Sequence, residues 1–310
     1  MKPALVIAGP TASGKSGLAL KIAREFGGVV INADSMQVYD CLPILTAQPS
    51  PADEAAVPHR LYAVLAPGEL CSAARWSEMA AAAMRAAWAE GKLPILTGGT
   101  GLYLRSVMEG LSPIPEIPDS VRAEARAKLA EMGNEAFHAR LAQRDSEMAR
   151  RLQVGDSQRM ARAWEVIEAT GRSLALWQED ARQGAVAANW FSITLLPERA
   201  RLYAACDGRF GAMMAAGALD EVRAFEAQSH APDLPISKAL GLRELAALLR
   251  GEMGEQEAIA AARQSTRNYA KRQLTWFRHQ LNASMVASEQ LSESLIATIF
   301  LKIRQHLLTP

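Results

Sequence analysis

Residues 9–16, Gly-Pro-Thr-Ala-Ser-Gly-Lys-Ser, have the spacing of a phosphate-binding loop. Gly9 and Gly14 allow backbone angles that expose successive N–H groups, and these groups form an anion cradle with the N-terminus of the next helix. Lys15 adds a point charge on the phosphates, and the Ser16 hydroxyl can hold Mg²⁺. The alternative is a glycine-rich structural turn. Because the motif follows a predicted strand and begins a predicted helix, phosphate binding is favoured.

Two further segments end in residues that could do chemistry. Asp34 follows the apolar run 29–31 and could act as a general base or help to organise Mg²⁺, although it could also be a turn or cap residue. Thr100, in the Thr-Gly-Gly-Thr-Gly segment 97–101, could donate its hydroxyl to a phosphate oxygen, or the glycines could only allow a tight strand-to-helix passage. Ligands of open parallel sheets gather at the carboxyl ends of strands, so we expect both segments beside the phosphate loop.

The elements that must position these residues follow from the apolar patterning. Strands are predicted over 5–8, 29–31, 93–97 and 190–196, and helices over 16–26 and 73–90. The rest of the chain after the last strand is predicted to be helical. Alternating strands and helices with continuous apolar strands predict an α/β fold with a P-loop NTPase-like parallel sheet covered on both faces.

The pattern changes near Pro113, where three prolines fall within residues 113–118. Apolar residues then repeat at helical spacing to about Gly184: Val121, Ala125, Leu129 and Met132, followed by Met160, Trp164 and Ile167. We therefore predict an all-helical insertion over 113–184. The α/β core is predicted over 1–112 plus 185–310, with a helical C-terminal region.

The charge balance excludes a uniformly basic nucleic-acid-binding surface. The 310 residues include 34 Lys and Arg against 33 Asp and Glu, a net charge of +1, which leaves a local basic patch possible. The sequence has no apolar run of about 18 residues, so no membrane span is predicted. Cys41, Cys71 and Cys206 have neither metal-site nor disulfide spacing, which indicates a reducing cytoplasm.

One stretch, Ala258–Ser288, contains no acidic residue. It carries five basic residues, Arg263, Arg267, Lys271, Arg272 and Arg278, with Tyr269, Trp276 and Phe277 between them. Basic and aromatic residues together suit phosphates and exposed bases. A helix that buries Trp276 and Phe277 in the core is the alternative for those two residues.

Six segments in this order resemble motifs of the bacterial tRNA dimethylallyltransferase family, also called tRNA isopentenyltransferases. They are residues 9–16, 33–39, 97–104, 156–173, 208–222 and 263–278. The last segment is the most specific, because its Thr-Arg, Tyr-Ala-Lys-Arg-Gln and Thr-Trp-Phe-Arg series is not a general feature of P-loop proteins. The resemblance covers nearly the whole chain.

The resemblance implies transfer of a dimethylallyl group from dimethylallyl diphosphate to N6 of adenosine 37, beside the anticodon of tRNAs that read codons beginning with U. The product is N6-isopentenyladenosine, and Mg²⁺ is the implied cofactor. Asp34 is implied as the base, and Thr100 and Arg209 as diphosphate ligands. The implied partners are the tRNA anticodon stem-loop and dimethylallyl diphosphate, and we expect a cytoplasmic monomer without membrane attachment.

The resemblance also implies two sets of binding residues. The diphosphate set is Gly9, Thr11, Ala12, Ser13, Gly14, Lys15 and Ser16, with Ser16 also holding the metal. The tRNA set is Asp34, Ser35, Met36, Gln37, Thr100, Arg122, Gln158, Arg159, Met160, Ala161, Arg162, Lys238, Gly241 and Arg243. The basic and aromatic character of the acid-free stretch adds Arg267, Lys271 and Arg272 to this set. Residues 119–182 contain 11 basic and 11 acidic side chains, so their charge alone predicts no RNA binding. The assignment of the insertion to tRNA therefore depends on the resemblance.

The sequence departs from the family pattern in four places. Residues 43–49, Pro-Ile-Leu-Thr-Ala-Gln-Pro, replace the usual Asp-Ile-Gly-Thr-Ala-Lys-Pro. Pro58-His59 stands where two histidines are usual, Ala205 where an arginine is common, and Leu242 where a tyrosine follows Gly241. These changes leave the role of the loop around residues 41–60, the rate and the range of tRNAs open.

Two other functions are compatible with the phosphate loop. In a P-loop small-molecule kinase Asp34 would activate a hydroxyl for phosphoryl transfer, but the basic and aromatic C-terminal stretch would have no explanation. An RNA-binding protein that uses a nucleotide as a switch has no supporting switch motif.

Overall fold

The computed structural model describes residues 1–228, 234–289 and 291–308. The chain divides into two compact units, Met1–Met108 with Val186–Pro310, and Glu109–Ala185. The first is an α/β unit and the second is helical. The sequence predicted the insertion over 113–184, so the helical unit takes in four more residues at its start and one more at its end.

The α/β unit is built on a sheet in which the described residues form six strands, with every neighbouring pair parallel. The strands are β1 (Pro3–Ala8), β2 (Gly28–Asn32), β3 (His59–Arg60), β4 (Leu93–Gly98), β5 (Asn189–Leu195) and β6 (Met285–Ala287). Their order across the sheet is β3-β2-β4-β1-β5-β6. All residues of β2 and β4 are buried, as expected for parallel strands covered on both faces. The predicted parallel α/β sheet is confirmed.

Helices make up most of the remaining structure. In chain order they are α1 (Lys15–Phe26), α2 (Pro51–Ala56), α3 (Ala73–Ala89), α4 (Gly101–Glu109), α5 (Asp119–Arg144), α6 (Ser146–Arg151), α7 (Ser157–Thr170), α8 (Leu174–Glu179), α9 (Arg199–Ala215), α10 (Ala218–Glu226), α11 (Leu242–Leu249), α12 (Glu255–Gln280) and α13 (Glu293–Leu308). A 3₁₀ turn over Pro235–Lys238 precedes α11.

The two faces of the sheet bury different helices. Because side chains alternate along a strand, Ile7 of β1 packs in one cluster with Ile22 of α1 and Ile299 of α13. Val6 belongs to the other cluster, which includes Phe277 of α12 and residues of α3, α4, α10 and α11. Helices from the C-terminal part of the chain therefore pack on both faces of the sheet. Each face also carries helices from earlier in the chain.

Two short strands were missed by the sequence analysis, and the region after β5 is not wholly helical as predicted. β3 has two residues and β6 three, which is too short for an apolar period to show. β6 is held by parallel pairing with β5. Beside it, the Ser192 N–H donates to Ser284 Oγ at 3.1 Å and the Ser284 N–H donates to Ser192 Oγ at 3.0 Å.

The helical unit has its own core, formed by α5 to α8. Phe137 and Trp164 pack there with ring centroids 5.3 Å apart. The predicted apolar face of α5 does not continue to Met132, whose exposed fraction is 37%. The reason is the next residue, because Gly133 has φ +70° and breaks the helical geometry inside α5.

A membrane-spanning helix is not found in residues 1–228, 234–289 and 291–308, since no helix there is both long and apolar enough. Cys41, Cys71 and Cys206 are free thiols, and Cys206 is buried.

Candidate active site

Three loops meet at one edge of the sheet. β2, β4 and β1 are adjacent and parallel, so their carboxyl ends lie side by side. Residues 9–16 follow β1, Asp34 follows β2 and Thr100 follows β4. The Thr100 N–H donates to the Ala33 carbonyl at 3.2 Å, which joins the loop after β2 to the turn after β4. The predicted convergence of the three segments is confirmed by these contacts.

The phosphate loop, residues 9–16, is held in a backbone conformation that suits a ligand. Gly9 has φ +153°, and a Cβ there would lie 2.8 Å from the Leu195 carbonyl oxygen, so only glycine fits. Ala12 has φ +61°, a left-handed conformation that costs about 1–3 kcal/mol in a residue other than glycine and is concentrated at functional sites. The buried Ser13 Oγ has no hydrogen-bond partner among the described residues. A buried hydroxyl without a partner is unfavourable, and a phosphate oxygen would supply the acceptor.

Two cations face this loop, and neither has a carboxylate in hydrogen-bonding contact among the described residues. The Lys15 ammonium donates to the Pro10 carbonyl at 3.3 Å, and the Arg209 guanidinium of α9 donates to Thr11 Oγ1. Burial lowers the pKa of Lys15 to about 8, with the charge of Asp34 opposing and that of Arg209 adding to this shift. Burial also lowers the pKa of Arg209. Both positive charges are therefore close together and available to a phosphate anion.

Asp34 is positioned by the end of β2. The Asn32 side chain accepts the Asp34 N–H at 2.7 Å and donates to the carbonyls of Asp34 and Leu61 at 3.1 and 2.9 Å. The Met36 N–H donates to Asp34 Oδ1 at 3.0 Å. The second oxygen, Oδ2, lies beside the glycine-rich turn, because a Cβ on Gly99 would be 3.5 Å from it. The carboxylate is thus fixed with one oxygen held locally and the other directed toward the turn, where it could accept a proton.

Thr100 is hydrogen-bonded on the side away from its helix. Its Oγ1 accepts the Ser35 N–H at 3.0 Å, and the Tyr269 side chain of α12 lies close enough for Thr100 to affect its pKa. Burial raises the pKa of Tyr269, so that its hydroxyl stays protonated. Three segments far apart in sequence therefore meet at Thr100. This arrangement fits its predicted contact with the diphosphate.

The predicted tRNA contacts after β2 do not all point outward. Ser35, Met36 and Gln37 are half-buried. The Gln37 side-chain amide donates to the carbonyls of Thr46 and Ala47 at 2.9 and 2.7 Å. In this structure the Gln37 side chain therefore holds the following loop.

The predicted tRNA contacts of the C-terminal part differ in exposure. Four of them are exposed: Lys238, Arg243, Lys271 and Arg272. Arg267 is largely covered and forms an ion pair with Asp207 at 2.7 Å. Gly241 is buried and a Cβ there would lie 2.9 Å from the Phe210 ring, while its tRNA contact stays a prediction. With φ +89° it begins α11, so its observed role is in packing and chain direction.

The predicted tRNA contacts of the helical unit also differ in exposure. Met160 and Ala161 are buried, with exposed fractions of 0% and 7%, because α7 turns that face into the core of the unit. Their side chains stabilise the unit and do not face solvent, and a tRNA contact at these two positions stays a prediction. The polar predicted contacts of this unit are exposed or partly exposed: Arg122, Gln158, Arg159 and Arg162.

The family-divergent loop, residues 41–49, is firmly held. The Glu221 carboxylate accepts the N–H groups of Ile44 and Leu45 at 2.7 and 2.9 Å. Gln48, at the position of the usual lysine, donates from its amide to the Tyr39 carbonyl at 2.8 Å. The loop is therefore ordered by hydrogen bonds within the protein, although its sequence departs from the pattern.

Several polar residues of the site were missed by the sequence analysis. Asn32 positions Asp34, Tyr269 contacts Thr100, and Gln273 of α12 bonds both to the phosphate loop and to the glycine-rich turn. The available signal was a polar residue at an otherwise apolar helical position, since Gln273 lies next to Leu274 and one turn from Phe277. The sequence alone did not show which groups these side chains reach.

These features define a P-loop α/β protein whose phosphate cradle lies beside a positioned carboxylate. The sequence matches the IPP transferase family over residues 37–280, and the chain belongs to this family. It is 74% identical over 307 residues to the tRNA dimethylallyltransferase of Paramagnetospirillum magneticum, covering 99% of this chain and 98% of that protein.

Solved structures agree. The tRNA isopentenylpyrophosphate transferase of Bacillus halodurans has a TM-score of 0.72 and 31% identity, covering 99% of this chain and 97% of that one. A eukaryotic dimethylallyltransferase acting on tRNA has the same fold, with a TM-score of 0.80 at 24% identity, covering 98% of this chain and 80% of that one.

Proposed function

We propose that this protein is a tRNA dimethylallyltransferase. It transfers the dimethylallyl group of dimethylallyl diphosphate to N6 of adenosine 37, next to the anticodon of tRNAs that read codons beginning with U. The observation that supports this most strongly is that the Lys15 and Arg209 cations of the phosphate loop lie near the Asp34 carboxylate at one sheet edge, in a member of this family. The product is N6-isopentenyladenosine, and pyrophosphate leaves.

The cradle would stabilise the leaving group. As the bond between the allylic carbon and the diphosphate oxygen breaks, negative charge grows on the diphosphate. Lys15 and Arg209 lie where they can offset that charge, and Arg209 Nε and Ser13 Oγ are buried without a partner in the described residues. Groups that already point at developing charge need no rearrangement, and the loss of one such donor typically costs on the order of 10²–10³ in rate.

Asp34 would serve the acceptor. The new bond joins N6 of the adenine to the allylic carbon, and the nitrogen then has to lose a proton. Asp34 Oδ2, beside Gly99, is suited to accept it, while Oδ1 stays bound to the Met36 N–H. In this scheme one C–O bond breaks, one C–N bond forms and one proton moves to Asp34.

Magnesium fits this site as a metal shared with the substrate. Among residues 1–228, 234–289 and 291–308 no three His, Cys, Asp or Glu side chains cluster to hold a metal alone. Mg²⁺ commonly binds through few protein ligands together with substrate phosphates, and Ser16 at the start of α1 has an exposed side chain that could provide one ligand. Bound there, Mg²⁺ would neutralise charge on the diphosphate.

The tRNA must present adenosine 37 outside its stacked loop, since chemistry on a base requires access to its edge. The exposed basic residues Lys271 and Arg272 of α12, with Lys238 and Arg243, support contact with tRNA phosphates. A tRNA substrate supports a cytoplasmic location. The presence of the cradle, Asp34 and these basic residues on one chain supports a monomeric enzyme.

The alternative of a P-loop small-molecule kinase is not favoured. The 74% identical relative is named a tRNA dimethylallyltransferase, and a kinase leaves the acid-free stretch Ala258–Ser288 without a function.

The test uses labelled dimethylallyl diphosphate, Mg²⁺ and unmodified tRNA reading a codon that begins with U. We expect label in the RNA at position 37 and release of pyrophosphate. The same tRNA with guanosine at position 37 is the control and should take no label. Absence of label in every tRNA, together with ATP-dependent phosphorylation of a metabolite, would show that the proposal is wrong.

A further inference from the structure

Gln273 is a buried polar side chain on α12, with an exposed fraction of 5%. Its neighbours Ala270, Leu274 and Phe277 are apolar and buried. A polar group in such surroundings is stable only when its hydrogen-bonding atoms have partners. The partners of Gln273 therefore show what the residue does.

The Gln273 amide joins two loops of the candidate active site. Its Oε1 accepts the Thr11 N–H of the phosphate loop at 2.8 Å, and its Nε2 donates to the Gly99 carbonyl of the glycine-rich turn at 2.8 Å. Thr11 and Gly99 are 262 and 174 residues away in sequence. A single side chain thus sets the distance between the loop after β1 and the turn after β4.

The Gln273 amide packs closely against the glycine-rich turn. A Cβ on Gly99 would lie 2.1 Å from Gln273 Nε2, so the turn can approach the amide only because residue 99 is glycine. Tyr269, one turn earlier on α12, lies close enough to both Gln273 and Thr100 for their side chains to affect its pKa. α12 therefore lies against two adjacent residues of the glycine-rich turn, Gly99 and Thr100.

The contact with Thr11 extends to a cation. Gln273 holds the Thr11 backbone, and the Thr11 hydroxyl accepts a hydrogen bond from the Arg209 guanidinium. Since Arg209 Nε is buried and has no partner in the described part of the chain, the Thr11 hydroxyl is its main observed anchor. The placement of Arg209 over the cradle thus depends on Thr11, and that of Thr11 on Gln273.

We propose that Gln273 is a positioning residue for the transfer reaction. Its amide fixes the phosphate loop against the glycine-rich turn, so that Arg209 and Thr100 both meet the departing diphosphate. This inference rests on the proposed function. A catalytic group displaced by about 1 Å can cost on the order of 10²-fold in rate.

The main test is Gln273→Met, which keeps the length of the side chain but loses both hydrogen bonds. We expect kcat to fall on the order of 10²-fold, with the KM for tRNA changed less than about twofold, because the exposed basic residues of α12 are untouched. Gln280→Met on the same helix is the matched control. Gln280 is exposed and accepts a hydrogen bond from Arg105 at 3.2 Å, so its loss should leave the rate unchanged.

A double-mutant comparison separates positioning from general stability. If Gln273 acts through Thr11 and Arg209, Gln273→Met should lower kcat much less in an Arg209→Ala protein than in the wild type, because interacting sites are not additive. A full multiplicative loss in that background would contradict the inference. So would a folded Gln273→Met protein with wild-type kcat.

Two further variants apply even if Gln273→Met does not fold. Gly99→Ala pushes against the Gln273 amide from the opposite side and should reduce kcat in the same way. Gln273→Glu keeps an acceptor for the Thr11 N–H but places a negative charge by the diphosphate, so we expect a larger loss than with Met. Wild-type rates in both folded variants would overturn the inference. A wild-type protein that transfers no label would instead contradict the proposed function.

Discussion

Cations have different partners at the candidate site of the α/β unit and in the helical unit. At the sheet edge of the α/β unit, Lys15 and Arg209 donate to the uncharged Pro10 carbonyl and Thr11 hydroxyl. In the helical unit basic side chains meet carboxylates, as in the pairs Arg122–Asp119, Lys128–Glu124, Arg144–Glu168, Arg151–Glu147, Arg162–Glu165 and Arg172–Asp180. The first region keeps positive charge available for an anion, whereas the second neutralises it locally.

This difference explains why a sequence motif predicts a functional site at the sheet edge, whereas a charge count predicts none in the helical unit. The cradle is recognisable because its residues are contiguous and its chemistry requires their spacing. The helical unit has balanced charge, and its exposed ion pairs contribute little to stability, with a median of about 0–1 kcal/mol each. A function for its surface must therefore be tested residue by residue, beginning from the region where the expected effects are largest.

The largest expected effect is that of Asp34→Asn. The amide keeps the size of the side chain but cannot take the N6 proton, so turnover should fall on the order of 10²–10⁴-fold. Pyrophosphate affinity, measured by calorimetry, should be largely retained. Asp40→Asn is the control, because Asp40 is exposed near the same loop. A protein that loses donor affinity but keeps the single-turnover rate would show that Asp34 is not the base.

The next effect concerns pH. The pKa of Lys15 is lowered to about 8, so its positive charge is present below pH 8 and is lost as the pH rises. The kcat/KM for the donor, which reports the free enzyme, should therefore fall above pH 8. One lost charge-assisted hydrogen bond of about 1.5–3 kcal/mol corresponds to on the order of tenfold or more.

Lys15→Arg provides the comparison for this profile, since its guanidinium stays charged over the whole range. The variant should show no decrease near pH 8, whatever its absolute rate. Asp34 raises the pKa of Lys15, so in Asp34→Asn the residual activity should decline at a lower pH. The same decrease near pH 8 in Lys15→Arg would assign the titration to another group.

The sequence predicted the three loops at the edge because each is a local motif after a buried strand. It could not predict Gln273, whose partners lie in distant loops, nor the position of Arg209 over Thr11. It also could not distinguish Met160, which the core of the helical unit needs, from the exposed Gln158 two residues earlier. The spacing of residues within a short motif therefore predicts a loop and its chemistry well. Burial and long-range contacts depend on tertiary packing, which a single sequence does not show.

A smaller effect compares Lys271 and Arg267 on α12. Lys271 is exposed, so Lys271→Ala should weaken tRNA binding a few-fold and reduce the slope of log K against log salt by about one. Arg267 already neutralises Asp207. Arg267→Ala should therefore lower the melting temperature, and it should alter the salt slope less than Lys271→Ala does. Binding titrations at several salt concentrations and thermal melts distinguish the two roles. If Arg267→Ala changed the salt slope more than Lys271→Ala and left the Tm unchanged, Arg267 would be a phosphate contact.

The smallest effect tests whether the helical unit binds tRNA through its motif or not at all. Arg159 and Arg150 have similarly exposed side chains, 74% and 73%, and each pairs with a nearby acid, Asp156 and Glu147. Only Arg159 belongs to the segment that resembles the family motif. Arg159→Ala should weaken binding of the anticodon stem-loop by roughly 1.5–5-fold, the scale of an exposed pair of about 0.2–1 kcal/mol, and Arg150→Ala should not. Equal losses would mean that the unit attracts RNA by charge alone. No loss in either variant would confine tRNA recognition to the α/β unit. The balanced charge of the helical unit would then have predicted its lack of tRNA binding better than its motif.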